Sequence, residues 1–243
     1  MRLQPIYVFA ALFVISAAAL FLQKPIAQDP AYHQFADART MFGIPNFWNV
    51  VSNLPFFFVG GYGLLRCLGQ WETRPAGVAR LIPLVLGLGV FGVSFGSAYY
   101  HAWPSNETLI WDRLPMTLMF MALFSLVLFD FLGKKAGEIG FWLSVPFGIF
   151  SVVYWHFTEK MGHGDLRPYA FVQFFPMVAV LGLVLFFPKK VSYIGLLAAV
   201  VGLYGLAKLA EHLDREIFGM LGFWSGHTIK HLVGAASLLF AMK

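Results

Sequence analysis

Residues 80–101 read RLIPLVLGLGVFGVSFGSAYYH. After Arg80 no charged side chain appears until the run closes on Ser97 and His101. A helix rises about 1.5 Å per residue, so about 20 apolar residues cover the ~30 Å hydrocarbon core of a bilayer. The stretch reads as a membrane-spanning helix with polar side chains gathered at one end.

The same criterion finds eight apolar segments along the chain: 5–22, 47–66, 80–101, 111–132, 139–157, 169–187, 191–209 and 219–241. Runs of this length exclude a β-barrel, whose strands would alternate over about ten residues. Composition agrees. Of 243 residues, 59 % are hydrophobic and 12 % charged, against about 25 % charged in a soluble domain. The expected fold is all-α: a polytopic membrane protein, with a hydrophobic helix in residues 1–24 and a multi-helix domain over residues 45–243. That helix is read as retained; a signal peptide cleaved after the Pro25-Ile26-Ala27 stretch is the alternative, with Pro25 a poor residue at its −3 position. Linkers are short apart from 23–46, which leaves no room for a soluble domain. The single cysteine, Cys67, precludes an intramolecular disulfide. The sequence pI near 9.4 raises the question of nucleic acid. No Lys/Arg run exceeds two, however (Lys134-Lys135 and Lys189-Lys190). Basic pairs between apolar segments read as topology signals, so the membrane is the partner and nucleic acid is not. Nothing in the composition sets an oligomeric state.

With the N-terminus inside, nine Lys/Arg fall on the inner side and seven on the outer. Nine of the twelve carboxylates and all seven histidines then lie toward the outer side. One working face is implied, the outer one, periplasmic in a bacterial inner membrane.

Ionisable groups within membrane segments are costly and are candidates for function. Ser97 and His101 are four residues apart and share a helical face. Asp112 returns close to His101 after a short linker. It is read either as a helix N-cap or as a group that moves protons, and the two roles can coexist. In the last segment His227 and His231 are spaced i, i+4, which presents two imidazoles to one point. With His101 they offer three nitrogens, the ligand set of a catalytic rather than a structural zinc site. Asn46, Asn49, Ser52 and Asn53 lie on one face of the second segment and read as interhelical hydrogen-bonding groups that support the site. The polar groups near 162–169 and 211–216 read mostly as solvated loops, with headgroup recognition or contacts that support the site as the alternative for Arg167, Tyr169, Glu211 and Asp214, and Lys208 and Lys230 read as side chains that can snorkel to the interface.

Together these residues resemble the alkaline ceramidase family, in the superfamily that also holds adiponectin-type receptors. The matching pieces are Phe47-Trp48-Asn49-Val50-Val51-Ser52-Asn53, Ser97 with His101, Asp112 with Pro115 and Met116, Asp214 with Ile217 and Phe218, and His227 with His231. The resemblance implies a seven-helix transmembrane core, with the first segment as an extra N-terminal helix, and a buried zinc held by His101, His227 and His231, with Asp112 and Ser97 as catalytic residues. It implies hydrolysis of the amide of a ceramide-like sphingolipid drawn from the bilayer, with water reaching the metal from the outer face. Eukaryotic members carry an acidic calcium-binding stretch before the Phe-Trp-Asn motif. Here Asn46 stands where the family has an acid and Asp37 is the one acid left, which puts calcium binding in question. The short loops resemble a bacterial branch. A zinc-stabilised receptor or lipid-binding protein without turnover is the alternative. A haem carrier is a third reading, but it gives Asp112 and Ser97 no role.

Overall fold

The computed structural model describes residues 4–188 and 194–242. Arg2, the Lys189-Lys190 pair, the expected start of a segment at 191 and Lys243 lie outside the described residues. Among the described residues the chain is helical, without strands. The helices are α1 (Pro5–Phe21), α2 (Phe47–Val51), α3 (Leu54–Gly69), α4 (Val78–Ala102), α5 (Asn106–Leu132), α6 (Lys134–Lys160), α7 (Arg167–Phe186), α8 (Ile194–His212), α9 (Asp214–Leu221) and α10 (Gly226–Ala241). Among the described residues six spans, counting α2 and α3 as one, are long and apolar enough to cross a membrane. The expectation of an all-α, multi-pass membrane protein therefore holds. The helices at the two ends are shorter, α1 at 17 and α10 at 16 residues.

α5 is the central helix. It packs closely on α4 and α6 and also touches α7, and Leu109, Thr117, Ala122 and Ser125 along it are fully buried. α8 leans chiefly on α10 and only lightly on α7. α1 lies outside the bundle with no buried residue; Phe9 and Phe13 set their rings against Phe124, Phe171 and Phe175.

Three boundaries differ from the hydropathy reading. The expected second segment divides into α2 and α3, because Pro55 has no N–H to continue the ladder. The expected last segment, 219–241, is interrupted. Gly222, at φ 72°, closes α9, and Ser225 opens α10 by accepting from the Thr228 N–H. Residues 222–225 are apolar enough to be absorbed into a scan but are not helical. Finally, α5 begins at Asn106 rather than 111. Its cap is Ser105, in a capping box with Thr108. Asp112 is a full turn further in and caps nothing, which frees its carboxylate for another role.

The long linker, 23–46, crosses the end of the bundle that carries the histidines. Arg167 donates to Gln23 O (2.6 Å) and the Leu166 N–H to Ile26 O (2.8 Å). Arg113 donates to Gln28 Oε1 (2.6 Å), and Glu159 accepts from the Gln28 N–H. Further along, Asn49 donates to Asp37 O (3.1 Å), and Arg39 reaches Phe223 O (2.7 Å) and pairs with Asp37. These anchors come from α2, α5, α6, α7 and the loop before α10, so the strap is tied across the whole end.

Two predictions follow from the packing. A Cβ on Gly96 would overlap the backbone oxygen of Trp111, so α4 and α5 touch backbone to backbone beside Ser97 and Asp112. A Cβ on Gly61 meets nothing. Gly96→Val should therefore lose about 1–3 kcal/mol or more by overpacking, seen as a lower unfolding temperature in detergent, while Gly61→Val leaves it nearly unchanged. The second concerns Asp165, whose carboxyl Arg167 holds below the usual carboxylate range by a two-pronged hydrogen bond at 2.9 and 2.8 Å. A depressed pKa contributes stability above the ordinary carboxylate range, and that contribution is lost as pH falls through the folded value. Wild-type unfolding temperature should fall below about pH 4, and Asp165→Asn should start lower and fall less.

Candidate metal centre

His101 sits in the last turn of α4, and His227 and His231 in the first two turns of α10. All three are buried, with exposures of 1 %, 5 % and 3 %. One ring nitrogen from each lies within 4.8 Å of the others, and this is the one such His/Cys/Asp/Glu group among the described residues. The Nε2 atoms of His101 and His227 face each other at 3.3 Å.

Each imidazole is held by its surroundings. Nδ1 of His231 lies 2.8 Å from Ser52 Oγ, and Ser52 Oγ donates onward to Asn49 O at 3.3 Å. The chain of donors runs one way if Nδ1 carries the proton, which leaves Nε2 of His231 as a lone pair. That Nε2 has no partner. Lys230 donates to Nε2 of His227 (3.1 Å), so this nitrogen carries a lone pair, which the ammonium occupies here and a metal would take in its place. Asp214 fixes the start of α10: it accepts from the His227 N–H (2.6 Å) and, with its other oxygen, from the Ala36 N–H of the strap (2.9 Å). A carboxylate at a helix N-terminus is also favoured by the helix dipole. The Asn46 amide donates to His101 O (2.8 Å), a bond that an acid at that position could not make. Thr228 donates to Asn49 Oδ1 (3.1 Å), tying α10 to α2.

Nε2 of His101, 3.3 Å from Nε2 of His227, forms a hydrogen bond with it whose direction depends on the tautomer, while Nδ1 of His101 and Nε2 of His231 have no partner. Leaving such buried nitrogens unmet costs about 1–3 kcal/mol each. Three neutral imidazoles without a thiolate suit a borderline divalent ion such as zinc, so the donor set fits the metal.

Ser97 and Asp112 are brought to the same place. The Ser97 hydroxyl faces the Asp112 carboxylate, and both line a cavity of about 100 Å³ together with His231, Lys208, Glu211 and Lys230. The rest of the lining is mostly apolar, from Phe56 and Val93 to Met119, Phe120 and Leu238. A cavity this small cannot enclose a long acyl chain. It lies between α5 and α7 on one side and the α8–α10 pair on the other.

Several placements differ from the sequence reading. Lys208 and Lys230 do not snorkel: they grip the two oxygens of Glu211 at 2.7 and 2.8 Å. Asp214 is not a solvated loop acid. Phe35, unremarkable in the linker by spacing or type, packs its ring against His101 (4.7 Å) and His227 (4.9 Å). It closes the strap side of the triad, so the open approach is the cavity at His231. Arg113, also unremarked, is buried with its guanidinium 4.1 Å from the ring centre of Trp155 and 4.5 Å from that of Tyr169.

The family model described as Ceramidase matches residues 40–190, more than half of the chain. The matched stretch holds Asn49, Ser52, Ser97, His101 and Asp112 but stops short of His227 and His231. No curated protein matches the chain. The match and the architecture agree: this chain is a member of the ceramidase family.

Proposed function

We propose that the protein is a zinc-dependent integral-membrane amidase that hydrolyses the amide of ceramide or a related long-chain lipid. The observation that carries this reading is a cluster of three buried imidazoles, one of which, His231, lines a mostly apolar cavity together with Ser97 and Asp112. His101, His227 and His231 would hold the metal. A zinc ion there supplies Lewis acidity and brings the pKa of water toward neutrality.

The chain's own residues do the rest. Asp112 accepts a proton from the attacking water and passes it to the departing amine. Ser97 donates a hydrogen bond to the oxygen on which negative charge develops. One C–O bond forms, the C–N bond breaks, and a fatty acid and an amine leave. Phe35 keeps bulk water off the triad from the strap side. The apolar lining admits the first part of the acyl chain, and the remainder extends toward the bilayer along the lightly packed α7–α8 boundary. The histidine-bearing end faces the periplasmic side of a bacterial inner membrane.

Purified protein should contain about one zinc per chain, and His231→Ala should lose it. Ser52→Ala, which removes only the hydrogen-bond partner of His231, should weaken zinc binding about 10–100-fold, measured by competition with a chelator. Unchanged affinity would separate Ser52 from the metal.

Asp112→Asn should keep zinc but lower amide hydrolysis about 10²–10⁴-fold, the usual worth of general acid–base assistance. The amide is close to isosteric and cannot accept the proton. Release of fatty acid from a panel of lipid amides reads the outcome. Near-normal hydrolysis by this variant would remove Asp112 from the chemistry. A zinc-loaded wild type that binds lipid amides and turns none over would favour the receptor reading.

A further inference from the structure

Away from the ionisable groups beside the triad, the cavity has a second polar feature. Gln173 of α7 and Tyr204 of α8 both line it and face each other across the boundary between these two helices. Gln173 is 8 % exposed, and the Tyr204 hydroxyl is buried without a hydrogen-bond partner. The lining from α5, α7 and α8 otherwise includes apolar side chains such as Met116, Phe120, Met177 and Val200.

An amide and a phenolic hydroxyl inside a membrane bundle are costly unless their hydrogen bonds are made. A pair serving only to join two helices would satisfy itself. Here the hydroxyl is left unmet, and the amide has two donors and an acceptor, more than one hydroxyl can use. Ser237, another hydroxyl of the lining, is already spent on Val200 O (3.1 Å). The rings of Tyr32 and Tyr169 lie against Arg113. Gln173 and Tyr204 are thus a donor–acceptor pair with capacity to spare at the cavity wall.

Their depth says what could use that capacity. α8 and α10 run antiparallel, and their register is fixed at two points: Gly226 meets Ala210 O, and Ser237 donates to Val200 O. His231 is therefore level with residues 205–206, and Tyr204 lies within a helical turn of it on the inner side. The cavity is only about 100 Å³. A group on its wall at this level meets the first few carbons of an acyl chain whose carbonyl is held at Ser97 and Asp112. The rest of that chain leaves along the α7–α8 boundary, between these two side chains.

Resting on the amidase reading above, we propose that Gln173 and Tyr204 form a hydroxyl-recognition subsite, and that the preferred substrate is a lipid amide whose acyl chain carries a hydroxyl on the second or third carbon. That hydroxyl donates to the Gln173 carbonyl oxygen and accepts from the Tyr204 O–H. An unsubstituted acyl chain leaves both groups unmet against methylenes, which is the more costly arrangement.

The test uses the zinc-loaded protein and three amides of one amine: N-palmitoylsphinganine and its 2-hydroxypalmitoyl and 3-hydroxypalmitoyl counterparts. The two hydroxylated arms separate the positions. Wild type should show a kcat/KM about 5–10-fold higher for one of them than for the unsubstituted amide, the worth of a hydrogen bond to a buried neutral group. In Tyr204→Phe, which removes the hydroxyl and keeps the ring, that ratio should fall toward one. Gln173→Met, which keeps the length of the side chain, should do the same and replaces the first variant if that one does not fold. A wild-type ratio at or below one for both hydroxylated amides, or a ratio that survives in the folded variant, overturns the proposal and leaves the pair as a link between α7 and α8. If no amide is hydrolysed the amidase reading fails, and binding decides the question separately. Thermal stabilisation should then be larger with a hydroxylated amide than with N-palmitoylsphinganine, and the difference should vanish in the variant. Equal stabilisation by all three overturns it.

Discussion

Three imidazoles are taken out of water at one end of a membrane bundle, with two of their nitrogens facing each other at 3.3 Å. Burying ring nitrogens is costly unless each finds a partner, and Nδ1 of His101 and Nε2 of His231 have none, so the fold must hold and orient the three rings. Much of the surrounding polar structure serves this. Ser52 and Asn49 set the proton on His231, Asp214 fixes the backbone of His227, and Asn46 holds the carbonyl of His101. These are partners of the kind that orient metal-binding imidazoles and set their tautomers. The break between α2 and α3 belongs to the same device. By interrupting the helix at Pro55 it leaves the Asn49 carbonyl to accept from Ser52 and from the Asn53 side chain, so a helix defect becomes a support for the site.

Backbone proximity does the remaining positioning. Gly96 lets α4 meet α5 at the carbonyl of Trp111, which brings Ser97 and Asp112 face to face. Gly226 does the same for α10 against the end of α8, where a Cβ would overlap Ala210 O. Small residues at such crossings are the usual means by which membrane helices approach closely. The strap 23–46 then covers the end. Phe35 of the strap lies on two of the three rings. Access is left to the cavity side.

The sequence carried the helices and the candidate ligands, because both depend on local spacing. Long apolar runs name their own spans, and His227 with His231 is a periodicity visible without a structure. What it did not carry was the meaning of residues whose partners are distant in the chain. Asp214 looks solvated until Ala36 and the His227 N–H are placed on its two oxygens. Lys208 and Lys230 look like interface lysines until Glu211 is seen between them. Phe35 is one apolar residue among others in the linker. Boundaries failed where composition and geometry disagree: residues 222–225 are apolar yet not helical, and the α5 start was set too late because Asn106, Glu107 and Thr108 are polar yet helical. The placement of Asp112 is instructive, since moving the cap to Ser105 removed the structural duty that would have explained its carboxylate without chemistry.

The account stands on a metal held by three histidine nitrogens and open at a fourth position. X-ray absorption at the zinc edge of the purified, zinc-loaded protein tests it most directly. The account predicts a first shell of three nitrogen scatterers near 2.0–2.1 Å with imidazole outer-shell features, plus one light atom, and no sulfur. A shell of four fixed protein ligands, a sulfur contribution, or an oxygen-only shell without imidazole features would contradict it.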